Sequence, residues 1–114
     1  MKKNMTQSLP SQVKVGATVY RIEEWPARDA NRAHLLGEAD HSFRRIRIDT
    51  SYGVFVAAVT LLHEILHCVW IGWRLGTDNA SDERVIESFE RGLAAVWVDN
   101  PELMRWIGEQ LRAG

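Results

Sequence analysis

The segment from Val54 to Gly76 (VFVAAVTLLHEILHCVWIGWRLG) has no proline, ends in glycine and is apolar on nearly every side. Thr50 and Ser51 ahead of it are good helix-capping types, and a terminal glycine is a common stop, so the segment predicts one long helix. A helix that is apolar all round is normally a buried one, so the flanking sequence must supply layers that cover it. Gly53 to Trp73 is also long enough to cross a bilayer. His63, Glu64 and His67 fall near the middle of that stretch, however. No other segment is long and apolar enough to shelter them beside it, so the expectation is a buried helix with no membrane partner.

A chain of 114 residues falls within the size of one domain, and its 46% hydrophobic and 25% charged content is that of an ordinary globular protein. Residues 1–12 read as a flexible tail and 13–114 as the single domain. Val13 to Ile22 alternates apolar and polar residues around Gly16, as a half-buried strand or bent hairpin does. Trp25 and Pro26 close it, and Ala27 to Leu36 predicts a short helix ending at Gly37. Gly37–Asp40 and Arg44–Asp49 flank a polar turn and read as a second hairpin, with Arg45, Arg47 and Asp49 facing away from Ile46 and Ile48. Beyond a polar loop, Thr77 to Ser81, a second long helix runs from Asp82 to about Val98 with an apolar stripe of Ile86, Phe89, Leu93, Val96 and Trp97. Asn100 caps a third, which Pro101 opens. The five tryptophans are expected to help fill the core.

A net charge of −1 with mixed signs leaves no electrostatic footprint for nucleic acid. The short basic cluster Arg44, Arg45, Arg47 does not alter that. One cysteine, Cys68, excludes an internal disulfide and fits a reducing compartment. The N-terminus has no apolar stretch of signal-peptide length behind its basic start, so a cytoplasmic location is expected.

The chemistry lies inside the long helix, where His63-Glu64-Ile65-Leu66-His67 reads HExxH. Residues four apart on a helix differ by about 40° in azimuth and about 6 Å in rise, so two imidazoles can converge on one ion, zinc above all. Glu64, next to the first, is placed to act as general base toward a water that such an ion activates. The same pattern arises by accident, most often on a solvated surface. Here it interrupts an apolar run, where ionisable groups are costly unless paired or metal-bound. A third protein ligand is needed for catalytic zinc. Glu83 and Glu87 on the following helix are the nearest source, and Glu83 lies closer to the apolar stripe. Glu83 is therefore assigned as ligand, and Glu87 as hydrogen-bond partner of a histidine or alternative ligand. Tyr52, His34 and His41 are weaker candidates for stabilising an oxyanion, Cys68 reads as a small core residue, and Arg44–Asp49 as an edge strand able to pair with an extended peptide.

The blocks LGEAD, IRID, TLLHEILH, DERVIESFERGL and VDNP, spanning roughly Leu36 to Asn100, resemble the small gluzincin-like metallopeptidases of the ImmA/IrrE type and short phage and prophage proteins similar to them. The resemblance implies an α+β zincin-like domain. An N-terminal twisted antiparallel sheet would pack on a buried HExxH helix followed by two further helices. It also implies a zinc cofactor, a glutamate ligand on the following helix, and hydrolysis of peptide bonds in a protein or peptide substrate. The rival expectation is a zinc-stabilised regulatory module without catalysis.

Overall fold

The computed structural model describes residues 9–73 and 82–114, the side chain of Asp82 excepted. The Thr77–Ser81 loop, the Gly76 stop and most of the expected tail lie outside the described residues. The elements are β1 (Gln12–Val15), β2 (Thr18–Glu24), α1 (Ala27–Ala33), β3 (Gly37–Asp40), β4 (Arg45–Ile48), α2 (Val54–Gly72), α3 (Asp82–Asp99) and α4 (Pro101–Ala113). Together they form a small α+β fold with one four-stranded sheet.

The sheet is mixed, not antiparallel as expected. Its order is β1-β2-β4-β3, with β2 and β4 parallel and the outer pairs antiparallel. The reason is hydrophobic. Of the second hairpin's strands, β4 carries Ile46 and Ile48, both fully buried, whereas β3 reads Gly-Glu-Ala-Asp and has little to bury. The more apolar strand takes the centre, and α1 carries the chain past it to the outer position. The expected edge at Arg44–Asp49 is therefore an inner strand, and β3 is the edge. At the opposite side, β1 is closed by a side chain. The Asn100 carboxamide accepts from the Lys14 N–H and donates to the Lys14 carbonyl, both at 2.8 Å, as a neighbouring strand would. Asn100 thus ties β1 to the start of α4 and does not cap α4 with its side chain, as expected from the sequence.

One face of the sheet presents Val13, Val15, Tyr20, Ile22, Ile46 and Ile48 to α2, and α4 closes the core from the other side of α2 with Leu103, Met104, Trp106 and Ile107. The other face is polar. There the cross-strand partners Glu38 and Arg47, and Asp40 and Arg45, form ion pairs, and the Arg47 guanidinium lies 4.6 Å from the Trp25 ring centroid. Trp25 and Trp106 are buried, but Trp70 and Trp97 stand exposed, so the tryptophans only partly fill the core. Asp49, expected to face outward, is buried. Its Oδ1 accepts from the Ser51 N–H at 2.9 Å and the Ser51 hydroxyl at 2.7 Å, building the turn that leads into α2. The helix consequently begins at Val54 with Gly53 at the cap position, not at Thr50 or Ser51.

By length and composition α2 could span a membrane; in this fold it is the central helix of the core. It is not covered all round, however. Ala57, Ala58, Leu61, Ile65, Cys68 and Val69 are buried, while Phe55, Val59, Trp70 and Ile71 are exposed. Of the stripe expected on α3, Val96 is buried and Phe89 and Leu93 half-buried, but Ile86 and Trp97 are exposed. Close contact between α2 and α3 depends on Gly92, where a Cβ would come within 2.7 Å of Val69 Cγ1 and 2.9 Å of the Trp73 ring. Replacing a mid-helix glycine by alanine normally gains about 1 kcal/mol. Overpacking against a branched and an aromatic side chain costs about 1–3 kcal/mol, so Gly92→Ala is expected to be destabilising on balance. A higher melting temperature in thermal unfolding would show that α3 is not pressed onto α2 at this point.

Candidate metal centre

Helical spacing carries His63 and His67 to the same side of α2, one turn apart, and both are exposed. Their Nε2 atoms lie 3.2 Å apart, with ring centroids separated by 4.8 Å and planes inclined at 74°. This is the geometry of a metal-ready pair. Two nitrogens at about 2.0–2.1 Å from a common zinc and 3.2 Å from each other subtend about 100–105° at the ion, near the tetrahedral angle. Without an ion, the same separation serves a hydrogen bond between a protonated and an unprotonated imidazole nitrogen. The donor set, two imidazoles and a carboxylate, is one that suits zinc.

Glu64, unlike the two histidines, is buried, with only 6% of its surface exposed. The sequence suggested three ionisable groups buried together, yet only Glu64 is. The two histidines are at the surface because, among the described residues, only Phe89 of α3 comes beside that side of α2. Even so, the ligand atoms of His63, Glu64 and His67 all lie within 4.8 Å of one another, and no other such group of three is found among the described residues. The carboxylate is held by close approach of the edge strand. A Cβ at Gly37 would meet Thr60 Cγ2 at 2.7 Å, the Arg47 carbonyl at 3.1 Å and Glu64 Oε2 at 3.2 Å. Only glycine lets β3 come this near. Gly37 was expected as a helix stop, and its role beside Glu64 has no signal in the sequence.

Burial raises the Glu64 pKa above its ordinary value, His63 and His67 oppose this, and the charge of Glu38 adds to it. Loss of hydration favours the neutral acid, while nearby imidazolium charge favours the carboxylate.

Behind the centre lies a second polar group. The Tyr20 hydroxyl shares a 2.9 Å hydrogen bond with His41 Nδ1 and also bonds the Cys68 thiol. Burial pushes Cys68 up to about 12 and Tyr20 higher still, so Cys68 stays a thiol in the core, as its apolar surroundings suggested. His41 is therefore engaged with Tyr20. His34 is exposed and adopts the left-handed conformation (φ 61°) that ends α1, and Tyr52 is exposed before the start of α2. Nine residues of helix, roughly 14 Å of rise, separate Val54 from His63.

Glu83 and Glu87 are exposed on α3, and neither belongs to the group formed by His63, Glu64 and His67. The α3 residue beside the histidines is Phe89. The chain matches no protein-family profile, no curated protein and no solved structure.

A group whose pKa is raised by folding contributes stability below its ordinary pKa and loses it as pH rises through the folded value. For Glu64 that ordinary value is 4.5, so the metal-free protein loses stability from this residue as the solution passes from acid to neutral. Glu64→Gln removes the effect. The metal-free variant is expected to melt above wild type at pH 7, with the difference gone by about pH 4. Parallel melting curves at every pH would show that the carboxyl is not desolvated.

Proposed function

We propose that this chain is a zinc-dependent peptidase, in which His63 and His67 hold the metal and Glu64 is the general base. The observation that carries the reading is the 3.2 Å pairing of two exposed imidazoles with a buried carboxylate directly behind them. Held by His63 and His67, a zinc ion would supply an acidified water, with a pKa of about 7, and polarisation of a carbonyl.

The chain's own groups divide the remaining work. His63 and His67 bring their Nε2 atoms together on the exposed side of α2, where they would hold the metal. Glu64, raised in pKa by burial, takes the proton of the attacking water and returns it to the departing amine. Thr60 and Gly37 keep that carboxylate from turning away. Strand β3 is the outermost of the sheet, unpaired on its outer side among the described residues, and packs on α2, so an extended peptide adding to it would run past the centre. For the third ligand Glu83 is proposed, with Glu87 as its alternative or as partner of a histidine.

One observation favours a second reading, a zinc-stabilised binding module without catalysis: neither α3 glutamate joins the group. Metal analysis and a single substitution separate the two. Purified protein is expected to carry close to one zinc per chain, with His63→Ala or His67→Ala losing it. Folded protein free of any transition metal would refute both readings. Glu64→Gln is expected to keep the zinc and to lower peptide hydrolysis by about two to four orders of magnitude, the usual worth of a general base. Metal-loaded wild type that cleaves nothing in an unfolded-protein or peptide-library digest would favour the binding module.

The third ligand has its own outcome. Glu83→Ala should weaken zinc binding sharply while Glu87→Ala weakens it less. The reverse order in a competitive chelator titration would exchange their roles.

A further inference from the structure

Resting on the metal-centre reading above, we infer that the hollow formed by Leu66, Trp70 and Phe89 beside His63 and His67 is a specificity pocket for one large apolar side chain of the substrate, next to the bond being cut. The hollow has a volume of about 330 Å³ and shares its wall with both histidines. That volume lies at the low end of ligand sites and is enough for one bulky side chain.

The occupant follows from the lining. Trp70 lies three residues beyond His67 on α2, so it stands on the same face as the imidazoles, and at 42% exposure its ring is open to solvent. Phe89 comes across from α3 and meets it edge to face, centroids 6.4 Å apart at 81°. Leu66 forms the floor between the two histidines. The histidines apart, no lining residue is charged or polar. Apart from the imidazoles and the Trp70 indole N–H, a charged or amide side chain entering the hollow would meet hydrocarbon and lose water for few partners, whereas a phenylalanine or leucine would bury apolar surface against two rings. Two other hollows among the described residues differ in kind. One is lined by Asp99 and Glu102, another by Arg105 and Arg112, and neither includes a histidine of the centre. The apolar hollow thus adjoins the two imidazoles, which a pocket for a residue flanking the scissile bond requires.

The test is binding of short peptide hydroxamates, which chelate zinc and are not hydrolysed, carrying Phe, Leu, Ala or Asp beside the chelating group. Dissociation constants are measured by calorimetry on zinc-loaded wild type, Trp70→Ala, Phe89→Ala and Trp70→Phe, with zinc content checked in each. Wild type is expected to bind the Phe and Leu compounds at least about tenfold more tightly than Ala, with Asp weakest, since one methylene in an apolar pocket is already worth that much. Trp70→Ala and Phe89→Ala should shrink the Phe-to-Ala ratio below about threefold at unchanged zinc content, and Trp70→Phe should keep most of it. A flat ranking in wild type overturns the proposal, as does a ranking that survives both alanine substitutions, or no binding by any hydroxamate. A ranked series with no hydrolysis of any peptide leaves the pocket standing and removes the peptidase reading. Peptide cleavage indifferent to the flanking side chain does the opposite.

Discussion

The contact on which the centre depends is the meeting of Gly37 with Thr60 and Glu64. It removes a carboxylate from water where the edge strand packs against the central helix. Everything around it is arranged to make that approach possible. Ile46 and Ile48 draw β4 to the middle of the sheet and so send β3 to the rim. Glu38 and Asp40, on the far face of β3, pair with Arg47 and Arg45, which fixes the register that sets Gly37 opposite Ile48. Were β3 displaced by the width of a methyl group, Glu64 would be rehydrated and its pKa would fall back toward that of a free carboxylate.

The second organising feature is that α2 is left open on one side by the described residues, while the sheet, α3 and α4 pack against the rest of it. Its packed side carries the fold, with Leu61, Ile65 and Val69 between the sheet and α4. Its open side carries His63 and His67, with Phe55, Val59 and Trp70 along the same helix. Because Glu64 is one residue from His63, about 100° around the helix, the motif straddles the boundary between the two sides. The carboxyl is therefore dry and the imidazoles are wet. That division suits a base whose proton affinity is raised and a metal-binding pair that an ion in solution can reach.

Much of this was legible in the sequence, and the failures share a cause. The HExxH spacing, the long helix, both hairpins and the two C-terminal helices follow from local pattern, which registers helical and strand periods directly. Strand direction does not register locally. Nothing in GEAD or RIRID says which of the two strands turns inward until the buried volumes of Ile46 and Ile48 are compared with what β3 offers. An apolar helix likewise reads as buried on every side, although Phe55, Val59 and Trp70 remain in the open, because composition records how much surface is apolar and not whether a neighbour covers it. Asp49 misled for a different reason. Alternation placed it outward, whereas its carboxylate is used within the chain to bind Ser51 and turn toward α2.

The two proposed readings differ in whether α3 supplies a third metal ligand. Close packing at Gly92 fixes the rotation of α3 by pressing it onto Val69 and Trp73, and that rotation puts Phe89 beside the histidines. At about 100° per residue, Glu83 then lies roughly 120° around from Phe89 and Glu87 roughly 160°. Turning the helix to aim either glutamate at the centre would pull Gly92 off its contact and open the Trp70–Phe89 hollow. The proposed ligand from α3 would have to reach the histidines without that rotation, and of the two glutamates Glu83 is the nearer in azimuth. The apolar hollow and the metal centre thus impose opposite demands on one helix face, and Gly92 holds α3 where the hollow is kept.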